Sequence, residues 1–187
     1  TPSAKPDPPL SLPASEPVRI DIPAIDIRAP IQPLGVQGNG EVETPPLDKA
    51  HLTGWYKLGP TPGEIGSSVI LGHVDTWRTG SAVFFNLGAL KQDQVIEVTR
   101  KDGTIATFVI SGVASYPKDK FPTREVYGSD DTAQLRLVTC GGTFNTKIRS
   151  YTDNIVVFAT LRSSRIATPA DAERPLRTWI PNRQGRR

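Results

Sequence analysis

Cys140, His73 and Arg149 are the residues of this chain whose types suit nucleophilic acyl transfer. Cys140 is the only cysteine, and it closes the strand-like run Leu135-Arg136-Leu137-Val138-Thr139. Gly141 and Gly142 follow at once and are expected to end that run. Arg149 comes just before a second strand-like run over residues 153–161. Two adjacent antiparallel strands would bring the thiol at one strand's end near the guanidinium at the next strand's start. His73 sits in Leu71-Gly72-His73-Val74-Asp75, directly after a compact apolar run. A thiol nucleophile needs a base or charge partner that raises its thiolate fraction. It also needs donors for the oxyanion of a tetrahedral intermediate. Histidine supplies the first. Arginine supplies the second, because it stays charged and offers a rigid fork of donors.

Each residue also has a plainer reading. A lone buried cysteine often serves as a small inert hydrophobe. Against that, the two glycines after Cys140 leave space around it and let backbone approach closely. His51 is the other histidine, a loop residue before Leu52. His73 is the better candidate because a buried run gives it a rigid mount, although a strand-end histidine can simply bond to backbone. Lys147 and Arg136 are alternatives to Arg149, which could instead pair with Asp153. Structural zinc takes four ligands, and the CxxC spacing is missing. No metal or cofactor is called for.

The elements that must hold these residues read as mainly β. At 187 residues the chain fits one domain with a real core. One cysteine excludes an internal disulfide. Residues 1–17 are Pro-rich and without periodicity, and read either as a stalk or as a loose terminus. Methionine is missing even at position 1, so the chain is expected to be a processed or trimmed piece of a longer product. Residues 162–187 carry seven arginines against Asp171 and Glu173, a local net charge of +5 within a total of +3. Charge gathered in a tail rather than on folded elements argues against a nucleic-acid binder. The domain spans residues 18–161.

Within it, residues 18–22, 25–31, 67–71, 95–99, 104–115, 135–139 and 153–161 read as strands. Asp102-Gly103 signals a hairpin. Part of residues 47–62 is expected to form a short helix closed by Gly54. Phe84, Phe85 and Leu87 are expected to pack inward from a helix or turn. The 116–133 stretch is long and weakly patterned, with a short helix expected near 123–127. A loop of that length is usually functional. The run Ile155-Val156-Val157-Phe158-Ala159 lacks alternation, which predicts a strand covered on both faces. Seven or eight short strands with Gly/Pro turns favour a β-barrel or a sandwich.

The chain resembles the sortases, cysteine transpeptidases of Gram-positive cell surfaces. The resemblance rests on Gly72-His73-Val74-Asp75, Leu137-Val138-Thr139-Cys140 and Arg149, in that order, with Thr139-Cys140 the most specific local signature. It extends over roughly residues 17–161, from the opening IDIPAIDI run to the closing DNIVVFATL run. Gly141-Gly142-Thr143-Phe144 and the arginine ahead of Tyr151 look most like the class F sortases of actinobacteria, with class E the nearer rival.

The resemblance implies a closed eight-stranded β-barrel with short helices in its connections, held outside the plasma membrane by an N-terminal anchor. It implies a secreted protein carrying a C-terminal LPXTG-like sorting signal as substrate and a cell-wall amine as acceptor. Carried over, Cys140 is the nucleophile, His73 the acid/base, and Arg149 the oxyanion or peptide-orienting group. Phe121, Pro122, Val126 and Tyr127, with Thr139, are the substrate-binding candidates. Some sortases bind calcium, but only the adjacent Asp130 and Asp131 suggest a place for it, and the expectation is no metal. A monomer is expected. The same residues also fit a thiol peptidase that passes its intermediate to water, or a barrel that only binds peptide or glycan.

Overall fold

The computed structural model describes residues 7–46, 48–76, 80–128, 131–145, 147 and 150–177, with 76, 80, 81, 140–145, 150 and 151 described by backbone only. Among the described residues ten strands follow one another: β1 Pro17–Ile22, β2 Ile27–Leu34, β3 Thr53–Tyr56, β4 Gly66–Leu71, β5 Asp75–Thr76, β6 Gly80–Ser81, β7 Val95–Arg100, β8 Thr104–Pro117, β9 Ala133–Asn145 and β10 Ser150–Ile166. Eight of them close a barrel in the order β1-β2-β3-β4-β9-β10-β8-β7, and β5-β6 form a separate ribbon. The α-helices among the described residues are short, α1 Thr123–Tyr127 and α2 Pro169–Glu173. The fold is therefore the mainly β, closed eight-stranded barrel that the resemblance implies.

Alternation decides which side chains fill it. Ile20 and Ile22 of β1, Ile27, Ala29 and Ile31 of β2, Ile96 and Val98 of β7 and Ala106, Phe108 and Ile110 of β8 all enter one core. Leu135 and Leu137 of β9 and Val157 and Ala159 of β10 join them. The opposite parity of β4, β9 and β10 carries a second cluster outside the barrel, Val69, Val138 and Val156, capped by Val126 of α1. This explains the unbroken apolar run of β10, since α1 covers the face that would otherwise meet water.

Three local expectations differ from what forms. Residues 53–56 are a strand, not part of a helix, because they pair in parallel with β2 at Ile31↔Thr53 and Leu34↔Tyr56. β9 runs through Gly141 and Gly142 to Asn145, held by β10 across Asn154↔Cys140 and Asp153↔Gly141. Phe84 and Leu87 are buried, but Phe85 is 42% exposed.

The flanking segments are tied to the barrel. Leu12 N–H donates to Gly63 O at 2.8 Å. Arg100, 2% exposed, donates to Pro13 O at 2.7 Å, Pro62 O at 3.0 Å and Asp102 Oδ2 at 2.8 Å. A buried guanidinium is tolerable only with such partners. Its hydrogen bond, with that of Thr104, holds the Asp102 carboxyl well below the usual carboxylate range. Gly63 has φ +110°, and an added Cβ would meet both Leu12 and Arg100, so glycine is required there. At the other end, β10 continues past Leu161 to Ile166. Thr168 and Asp171 then form a capping box on α2. The Arg165 side chain, then the Thr168 N–H, hold the Asp171 carboxyl well below the carboxylate range. Arg177 bridges back to Arg28 of β2 and pairs with Asp26 at 3.0 Å. Trp179-Ile180, the one large apolar pair in the sequence after residue 161 that could dock on the barrel, lies outside the described residues.

Candidate active site

β4 and β9 run in parallel at the centre of one barrel wall, in register from Gly66↔Ala133 to Leu71↔Val138. Gly72 N–H extends the ladder by donating to Val138 O at 3.2 Å. The paired register ends at Leu71↔Val138, with His73 two residues past Leu71 and Cys140 two residues past Val138. Neighbouring strands lie about 4.8 Å apart. His73 follows the end of β4, whereas Cys140 lies within β9, which continues to Asn145.

The mount of His73 is built by contacts the sequence hides. Its carbonyl accepts from Phe84 N–H at 3.0 Å, and Val74 O accepts from Ala82 N–H at 2.8 Å. Phe84 is fully buried, and its ring lies where a Cβ on Gly72 would come within 2.5 Å. Glycine at 72 thus serves a close approach, not a special backbone angle. Gly72→Ala is expected to cost about 1–3 kcal/mol through overpacking. It should also lower kcat by shifting the His73 mount, checked by urea unfolding alongside peptide turnover. The ring itself is half-buried, and its Nε2 lies 2.6 Å from the Pro45 carbonyl.

Cys140 is placed by its backbone in β9, between the end of β4 and Asn154 of β10. Arg149 lies outside the described residues, as does Asp130. The alternatives are located: Lys147 is exposed, and His51 is exposed in a turn. Arg136 is 7% exposed and turned to another task. Its guanidinium stacks 4.6 Å over the Phe158 ring, and its Nε donates to Glu125 O of α1 at 3.4 Å. It ties α1 to the β9/β10 wall.

The substrate-binding candidates divide by burial. Val126 is 0% exposed and Thr139 4% exposed, the latter with an Oγ1 that has no partner among the described residues. Phe121, Pro122 and Tyr127 remain partly exposed. The Tyr127 ring meets Tyr56 edge-on at 5.3 Å between centroids and 83° between planes. Burial, with Tyr56 nearby, pushes the Tyr127 hydroxyl up to about 12, so it stays neutral. A surface cavity of about 500 Å³ opens at the start of β4, lined by Tyr56, Leu58, Ile65, Thr123 and Tyr127 among others. Among the described residues no group of three His, Cys, Asp or Glu is placed to hold a metal ion, and no helix is long and apolar enough to cross a membrane.

The sortase domain profile matches residues 20–162, nearly the whole barrel. The chain belongs to the sortase family. Solved structures agree on the fold of this sortase. It is similar to sortase A of Listeria monocytogenes at 14% identity and a TM-score of 0.63, over 84% of this chain and 94% of that one. It is also similar to the SrtA sortase of Actinomyces oris at 18% identity and a TM-score of 0.60, over 90% and 91%. A Clostridium perfringens sortase D5 transpeptidase matches at 23% identity and a TM-score of 0.57, over 79% of each chain. No curated protein matches the chain.

Proposed function

We propose that this sortase is a cysteine transpeptidase of the class F type that cleaves an LPXTG-like sorting signal between threonine and glycine. The observation that supports the reading is the parallel β4/β9 register, whose last pair, Leu71↔Val138, precedes His73 and Cys140 by two residues on each chain segment. The Cys140 thiolate attacks the threonine carbonyl, and the S–C bond forms as a tetrahedral oxyanion that Arg149 stabilises. The C–N bond then breaks, and His73 gives its proton to the departing glycine amine. A cell-wall amine enters by the reverse path. It loses a proton to His73, forms the new C–N bond and releases the thiolate. The substrate is a secreted protein, and the enzyme works as a monomer outside the plasma membrane, anchored upstream of the Pro-rich stretch.

A fluorogenic signal peptide tested with and without an amine acceptor checks this. A joined product supports transpeptidation. Hydrolysis alone, with acceptor present, assigns a thiol peptidase. Intact peptide together with a Cys140 that resists alkylation leaves only a binding barrel.

Recognition of the leucine-proline part of the signal falls to α1 and the residues before it. Phe121, Pro122 and Tyr127 form the exposed wall, while Val126 seats the helix on Val69, Val138 and Val156. Thr139 backs the site from β9. Polar replacement of Phe121 or Tyr127 is expected to raise KM and change preference at the signal's first two positions, with alkylation of Cys140 unaltered. Kinetics with several signal peptides measure this. A lower Tm with unchanged relative preference would place the segment in the core only.

A further inference from the structure

We infer that the Pro45 carbonyl is a positioning group that fixes His73 as the Nε2–H tautomer and makes Nδ1 the nitrogen exchanging protons with Cys140. The inference rests on the transpeptidase reading for its partner, but its core is geometric. A carbonyl oxygen only accepts, so the 2.6 Å contact between Nε2 and Pro45 O requires the hydrogen on Nε2. In a neutral imidazole one nitrogen then carries the proton and the other a lone pair. Only Nδ1 can gain or lose a proton while the Pro45 bond persists.

The sequence around Pro45 is suited to holding one carbonyl still. Proline fixes φ at position 45, and Pro46 restricts residue 45 to extended backbone. Both torsions that aim the Pro45 oxygen are therefore constrained without any side-chain hydrogen bond. Pro45 is buried, whereas Pro46 is exposed. Pro46 O accepts from Lys49 N–H at 3.0 Å, closing the turn behind it. On the histidine side, the backbone is held by Phe84 N–H and by the β4/β9 ladder through Gly72. Ring and backbone are thus pinned from two separate segments.

The proton path follows. The Cys140 S–H proton passes to Nδ1, giving a thiolate and an imidazolium whose Nε2–H stays on Pro45. After attack on the peptide, the Nδ1–H proton goes to the departing amine as the C–N bond breaks. The neutral Nε2–H tautomer is restored, and Nε2 never changes its proton. The carbonyl takes the orienting role that a carboxylate takes in other histidine-based sites.

Two-bond ¹H–¹⁵N spectra of the histidine-labelled protein test this without substrate, with His51→Gln assigning the two rings. At a pH where the ring is neutral, His73 should show a protonated Nε2 and an unprotonated Nδ1. Cys140→Ala should shift Nδ1 more than Nε2. Pro46→Ala changes an exposed residue and frees the carbonyl, so it should mix the tautomers. It should also lower kcat by about 10–100-fold, the range seen when the outer partner of a metal-bound histidine is lost, with KM and Tm little changed. A protonated Nδ1 in the wild-type protein, or a Cys140→Ala shift confined to Nε2, would overturn the inference. Absence of peptide turnover with the Nε2–H tautomer intact would instead sink the transpeptidase reading and leave the tautomer assignment standing.

Discussion

Cys140→Ala is expected to abolish turnover while leaving the barrel folded. The chain has no second thiol, so no neighbouring sulfur can take over. Alanine cannot form the thioacyl bond that the proposed reaction requires. The strand survives the change because its register is set by backbone pairing with β10 at Asn154 and by the core residues Leu135 and Leu137, not by position 140. The variant should therefore bind signal peptide with nearly wild-type affinity, and its Tm should move little. Mass spectrometry supplies the complement, because a thiol reagent can mark only Cys140. Wild-type protein should take one label and lose all turnover with it. Cleavage by Cys140→Ala above background would remove the thiol from the mechanism and return Cys140 to the role of a small wall residue.

Much of the frame was legible in the sequence because it is written in alternation. The isoleucines of β1 and β2 and the 106, 108, 110 series of β8 face one core as their spacing demands. The run at 155–159 read as covered on both faces, and α1 is the cover. What escaped was non-local. Thr53–Tyr56 has a glycine and no alternation, and becomes a strand only because β2 lies beside it. The Gly141-Gly142 pair looks like a terminator locally, but β10 supplies partners that carry β9 past it. The site divides in the same way. Cys140 and His73 were visible as residues following strand-like runs, and what the sequence hides is that those runs pair in parallel although far apart in the chain. The partner of the His73 ring is a main-chain oxygen from a third segment. A backbone carbonyl carries no letter, so only the fold could reveal it.

His73→Ala is expected to lower turnover by on the order of 10²–10⁴, the usual contribution of a positioned acid/base. It should also slow alkylation of Cys140, since the thiolate would lose the imidazolium proposed as its partner. These two readouts separate its role from that of Arg149. Arg149→Ala is expected to cost on the order of 10²–10³ in turnover, as for one oxyanion donor, and to leave alkylation nearly unchanged because no tetrahedral oxyanion forms with that reagent. Arg149→Lys should recover little, since a point charge does not reproduce the fork. The structural cost of His73→Ala is small. The ring is half-buried and its loss frees one carbonyl, Pro45, while the Phe84 N–H and Gly72 bonds that hold the backbone remain. Added imidazole should then restore part of the lost turnover, because the space vacated by the ring still faces the same carbonyl. Turnover and alkylation both within a few-fold of wild type in His73→Ala would show that His73 serves the structure alone, and the base would have to be sought elsewhere.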